Sequence, residues 1–196
     1  MSDLQQTDST LMKALQKGDE QALPILIKRW ERPLFNFAYR YLQNSQTASD
    51  IVEETLVRIF TKRQKYNPKY PLSTWLFTIA ANLCKNHSRW LKRHPEQSWE
   101  SNGDDDDSLP LKEKIACQQP SPIESSEREE QLQQLRGAID ELPHELKTTL
   151  LLHYYEGLSY QEISEISKCS VRGVETRLYR ARKLLKSNCS KLGLST

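Results

Sequence analysis

Cations crowd the stretch "VETRLYRARKLLK": Arg177, Arg180, Lys183 and Lys186 fall within it, Arg172 just precedes it, and Thr176 stands among them. That is a pattern for gripping anions rather than for breaking bonds. A guanidinium presents a planar fork of donors matched to phosphate oxygens or to the edge of guanine. A second group, in "KYNPKYPLS", mixes Lys65, Asn67 and Lys69 with Tyr66 and Tyr70. Charge and flat rings together can hold an unstacked base beside its phosphate. A third group, Asp50, Glu53 and Glu54, puts carboxylates at helical spacing, where a cationic partner could pair with them. Nothing comparable points to catalysis: no Walker loop, G-x-S-x-G or H-E-x-x-H occurs. Cys84, His87 and His94 lack a fourth donor, so no metal and no cofactor is expected. With Cys117, Cys169 and Cys189 unpaired in any CxxC, the thiols read as reduced.

The elements that must carry these groups are helical. Strand-like alternation is missing and there are only 6 glycines in 196 residues. A first helix starting near Asp8 buries Leu11, Met12 and Leu15, and Gly18-Asp19 ends it. A second runs to about Leu42 behind the stripe Leu23, Leu26, Ile27, Trp30, Leu34, Phe37, Ala38 and Tyr41, with a kink or break expected at Pro33. Thr47 and Asp50 read as a capping box for the third. The fourth carries Trp75, Leu76, Ile79, Ala80 and Leu83, with Trp75 read as core. After a weakly periodic stretch, helical pattern returns near "EREEQLQQLRGAIDEL", and Pro143 opens a helix from His144 to Glu156, closed by Gly157. Ser159 and Glu162 form the next capping box. "SKCS" then has the length of the turn in a helix-turn-helix, with Ser170 as the cap of the final helix. At about 100° per residue, Val171, Val174, Leu178, Ala181 and Leu185 share one side of it and the cations the other. The second helix of such a pair is the one that enters a DNA major groove.

Charge divides the chain in three. Residues 1–95 hold 15 Lys/Arg against 8 Asp/Glu, residues 96–130 hold 3 against 11, and residues 131–196 hold 10 against 7. Two basic bodies and an acidic strip around Asp104–Asp107 predict an all-α chain of two small domains. These are an amino-terminal helical bundle over 1–95 and a four-helix domain with a helix-turn-helix over 126–196, joined by a flexible linker over 96–125. A polar start gives no leader signal, and the short apolar runs give no membrane insertion.

From "LPHELKTTLLLHYYEGLSYQEISEISKCSVRGVETRLYRARKLLK" the carboxyl-terminal half resembles the DNA-binding domain of bacterial sigma factors, the extracytoplasmic-function (ECF) group in particular. "ASDIVEETLVRIF" is similar to that family's polymerase-binding segment, and "STWLFTIAANLCKNHSRWLKR" to its promoter-melting segment. The resemblance implies RNA polymerase core and promoter DNA as partners, with no small-molecule substrate and no enzymatic activity. It assigns Arg172, Thr176, Arg177, Arg180 and Lys183 to an upstream promoter element. Lys65, Tyr66, Asn67, Tyr70, Asn82, Lys85, Asn86, Arg89 and Arg93 go to a downstream element that is melted, and Asp50, Glu53 and Glu54 to the polymerase. Many members are restrained by an anti-sigma factor, which would hold an otherwise cytoplasmic protein inactive, in some cases at the membrane. In the family the linker occupies polymerase channels; a nucleic-acid mimic and an inert tether are both open for it. Arg172-Gly173-Val174-Glu175 departs from the usual Gly-Thr-Val-Lys, and Asn86 replaces a common aspartate. The alternative is a helix-turn-helix regulator that binds duplex DNA without polymerase.

Overall fold

The computed structural model describes residues 7–94 and 132–191, with side chains to residue 188. The acidic run, the 96–125 linker, Cys117 and the Cys189 side chain lie outside the described residues. Among those described, all regular structure is helical.

Helix α1 (Asp8–Gln16) starts where Thr7 leaves helical geometry and its side chain accepts the Thr10 amide N–H. It ends at Gly18, whose φ of +95° needs a residue without a Cβ. Helix α2 (Ala22–Leu42) runs through Pro33 without a break. Leu26 on one side of the proline and Leu34 and Phe37 on the other are buried, so both halves of the helix pack on the core. Helix α3 (Ser45–Thr61) is capped by Asn44, whose side chain accepts the Thr47 N–H at 2.7 Å. The expected Thr47 cap is therefore wrong by three residues: Thr47 already lies within the first turn, because Asn44 offers a better-placed acceptor. A 3-10 turn (Arg63–Lys65) and a loop lead to α4 (Leu72–Arg93). Phe37 and Phe77 meet edge-on at 5.4 Å in the centre of this bundle, a geometry that aromatic quadrupoles favour.

In the second half, α5 spans 132–140. Helix α6 (His144–Tyr154) follows Pro143, which stands just before the first turn rather than in it. Gly157, at φ +66°, allows the reversal. Helix α7 (Tyr160–Ser167) carries the Ser159–Glu162 capping box in full, and α8 (Val171–Lys191) completes the helix-turn-helix. Val174, Leu178 and Ala181 are fully buried beneath it, whereas Val171 is exposed.

The two halves are docked on one another. Buried residues of both belong to one apolar cluster, with α2 against α6 and α4 against α7. The Tyr41 hydroxyl is 2.6 Å from His144 Nδ1, and the Lys147 ammonium stands 4.5 Å over the Tyr41 ring while pairing with Asp140 at 2.5 Å. Arg40 lies 4.4 Å over the Tyr155 ring and 3.6 Å from Glu156, and Ser73 reaches Glu162 at 3.4 Å.

Candidate nucleic-acid interface

The helix-turn-helix owes its shape to local chemistry. Lys168 takes a left-handed φ of +49° to end α7, and Ser170 Oγ accepts the Gly173 N–H at 3.1 Å to start α8. Gly173 has a steric reason to be glycine: a Cβ there would come within 3.3 Å of the Cys169 Cβ and 3.4 Å of its Sγ. With Val174, Leu178 and Ala181 turned inward, Arg172, Thr176, Arg180 and Lys183 are exposed on the outer face. Thr176 returns its hydroxyl to the Arg172 carbonyl at 2.9 Å. Arg177 differs from the others. It sits on the flank and pairs with Glu145 of α6 at 2.9 Å, its side chain only 19% exposed. The outward stripe instead includes Tyr179, 65% exposed, which the sequence reading missed. Its signal was available: Arg172, Thr176, Tyr179 and Lys183 recur at intervals of three and four.

The aromatic loop is braced from α1. Gln16 Nε2 donates to the carbonyls of Arg63 at 2.8 Å and Tyr66 at 3.1 Å, while Gln64 donates back to the Gln16 carbonyl at 2.8 Å. Tyr66, expected as a stacking surface, is buried. Its ring lies on Trp75 at 5.7 Å and its hydroxyl donates to the Tyr70 carbonyl. Burial raises its pKa, a shift that interaction with Ser9 opposes. Tyr70, half exposed, is the ring the loop presents, beside exposed Lys65, Asn67 and Lys69. Along α4, Asn82, Asn86, Arg89 and Arg93 are exposed and Lys85 is half-buried. Asn82 donates to the Thr78 carbonyl and Arg93 to that of Arg89.

Asp50, Glu53 and Glu54 are exposed on α3, one turn apart, and Glu54 pairs with Arg58 at 2.5 Å. Val57, 55% exposed, continues the same face and adds an apolar contact that the sequence reading did not include.

At the junction of the halves, burial draws the His144 pKa down to about 4; Lys85, Arg89 and Arg177 act in the same direction and Glu145 against it. The cations of α4 and α8 thus converge on the start of α6. Burial pushes Glu156 up to about 7, opposed by Arg40. It also pushes the Cys84 thiol up to about 12, which suits a packing role. Among the described residues no group of His, Cys, Asp and Glu is arranged to hold a metal, and no helix is long and apolar enough to cross a membrane.

Two segments of the chain match models of one protein family. Residues 26–94 match the family model Sigma-70 region 2, and residues 132–185 match Sigma-70, region 4. The chain is 28% identical over 181 residues to the RNA polymerase sigma-H factor of Pseudomonas aeruginosa, covering 92% of this chain and 93% of that one. It is 27% identical over 192 residues to the ECF RNA polymerase sigma-E factor of Haemophilus influenzae, covering 96% and 98%. In fold it is similar to CnrH, solved in complex with the cytosolic domain of CnrY, with a TM-score of 0.67 at 20% identity over 95% of this chain and 99% of that chain. It is also similar to the sigma factor RpoE of Bartonella quintana, solved with the anti-sigma factor NepR, with a TM-score of 0.57 at 24% identity over 84% and 94%.

Proposed function

Because the chain belongs to the sigma-70 family, in its ECF branch, and so confers promoter specificity on RNA polymerase core in transcription initiation, we propose how its surfaces divide that work. The outer face of α8 reads the upstream promoter element. Arg172, Arg180 and Lys183 contact phosphates and base edges, Thr176 and Tyr179 lie between them, and Arg177 braces α8 on α6 through Glu145. The loop of Lys65, Asn67 and Tyr70 receives an unstacked base of the downstream element, with Tyr66 shaping the loop from beneath. Asn82, Lys85, Asn86, Arg89 and Arg93 of α4 hold the adjoining strand. The carboxylates of α3, with Val57, dock on a cationic surface of the polymerase. In this reading residues 1–95 and 126–196 are separate working modules joined by the 96–125 linker.

The protein is a binding subunit without chemistry of its own, acting in the cytoplasm. The genes it serves belong to a stress or envelope response, by likeness to the sigma-E factors. An anti-sigma protein restrains it, as the neighbour solved with such a partner suggests. The observation that carries the reading is the order of both matched segments in one chain, each with its exposed cations on the expected helix. Run-off transcription with purified core tests it: start sites should depend on the added protein. A gel shift with and without core separates it from a regulator that needs no polymerase. Tight promoter binding by the isolated chain, unaffected by core, would reject the assignment.

A further inference from the structure

We propose that the end of α4 carries a further DNA contact: the indole of Trp90, flanked along the helix by the imidazoles of His87 and His94, is a stacking surface for an unpaired base of single-stranded DNA. This rests on the reading of α4 as the helix that holds the melted strand, and adds to it a residue of different chemistry.

Single exposed apolar side chains are ordinary on a protein surface; three rings in register are not. The Trp90 indole lies 5.0 Å from the His94 ring at an interplanar angle of 30°, and 6.0 Å from the His87 ring at 33°. Such centroid distances mark offset stacking, and Trp90 stays 38% exposed, so ring surface is left for another flat group. Core packing does not account for it, because the buried residues of α4 end at Cys84. His94 is fixed where it stands. Its backbone N–H donates to the carbonyls of Trp90 and Leu91, each at 3.1 Å, and its Nδ1 donates to the Trp90 carbonyl at 3.0 Å. Burial lowers the His87 pKa, an effect that Asp50 of α3 opposes, so near neutral pH this ring is a neutral support rather than another cation. An indole oriented in advance loses little freedom when a base arrives.

The surroundings select the partner. Asn82, Asn86 and Trp90 recur every four residues, and Arg89 and Arg93 run beside them. Lys92 joins Arg93 in the last turn, and all three cations are exposed. None of the three pairs with a carboxylate among the described residues. Unpaired cations beside an aromatic platform are the combination that holds a single strand, phosphates on the charges and bases on the rings. The same cations would repel the cationic surface proposed for Asp50, Glu53 and Glu54, which speaks against the strip as part of the polymerase contact.

The test uses the full chain and two labelled single strands: an oligonucleotide of mixed sequence, and its abasic counterpart with the same phosphates and no bases. Trp90→Ala should weaken binding of the first about tenfold and leave that of the second unchanged. Trp90→Phe, which keeps a ring, should recover most of the loss, whereas Trp90→Leu, which keeps only apolar bulk, should not. Stacking also has a spectroscopic signature: the indole emission that Trp90→Phe removes should be quenched by the mixed strand and not by the abasic one. Equal loss for both strands, full recovery by leucine, an unquenched indole, or no measurable binding of the mixed strand by the wild type would each overturn the stack. Loss of core pull-down by Trp90→Ala with oligonucleotide affinity intact would overturn it too, and would assign the strip to the polymerase. The double change Arg89→Ala with Arg93→Ala should weaken both strands alike and flatten their salt dependence. If it has no effect, the reading of α4 as the strand-holding helix fails and the stack with it; if it has its effect and Trp90→Ala has none, only the stack fails.

Discussion

His144 at the start of α6 and Glu156 just past its end carry opposite proton linkages. Burial raises Glu156 to about 7, so the stability it contributes is complete below its ordinary pKa of 4.5 and is lost as pH rises through 7. His144 is lowered from 6.5 to about 4, so its contribution is present above 6.5 and is lost as pH falls through 4. The two nearly offset between pH 4.5 and 6.5. Glu156→Gln should therefore raise Tm at pH 8 by about 2–4 °C, leave it unchanged near pH 4.5, and expose the His144 slope as steady loss of stability on acidification below 6.5. Thermal melts across that range check it. The arginines of α8 separate in a similar way. Arg180→Ala should weaken upstream-element binding about tenfold and flatten its salt dependence. Arg177→Ala should cost less affinity and, because its pair with Glu145 is partly exposed, lower stability by under about 1 kcal/mol. Anisotropy titrations at several salt concentrations distinguish them. The sequence placed both arginines on the charged side, but only the structure shows that Glu145, 32 residues earlier, claims one of them.

Within an element, a helix cap is legible where acceptor and donor lie three residues apart and ambiguous where two candidates compete. Ser159–Glu162 and Ser170 behave as their spacing predicts. Thr47–Asp50 has the same form, yet Asn44, equally suited to capping and one turn earlier, starts α3. Asn44→Ala should lower chain stability by about 1 kcal/mol, with Thr47→Ala costing clearly less; chemical denaturation measures both. Gly173 shows how propensity alone misleads. Helix propensity favours alanine there by about 1 kcal/mol, but its Cβ would press on Cys169. Gly173→Ala should therefore bring no stabilisation, and Gly173→Val should destabilise by about 1–3 kcal/mol. The aromatic loop was legible as an element, but not the division within it. Tyr66 and Tyr70 look alike in composition, and only the position of Trp75 decides that Tyr66 turns inward.

For the whole molecule, the helical class follows from periodicity, because it depends on residues near in sequence. The docking does not: Tyr41 meets His144 across 103 positions, and neither residue advertises the other. Since buried residues of both halves share one core, calorimetry of the wild type should show a single transition. Tyr41→Ala, which removes the hydroxyl bond and the ring beneath Lys147, should resolve it into two. Helix α1 raises a different matter, that of where the working protein begins. The family match starts at residue 26, yet the side-chain amide of Gln16 stitches down the turn that precedes the loop proposed to receive a base. A chain trimmed to the matched boundary would keep every residue proposed to touch DNA on that half and still lose three of the bonds that hold the loop in shape. Pruning by homology would here discard the scaffolding of the proposed melting loop while appearing to leave it whole.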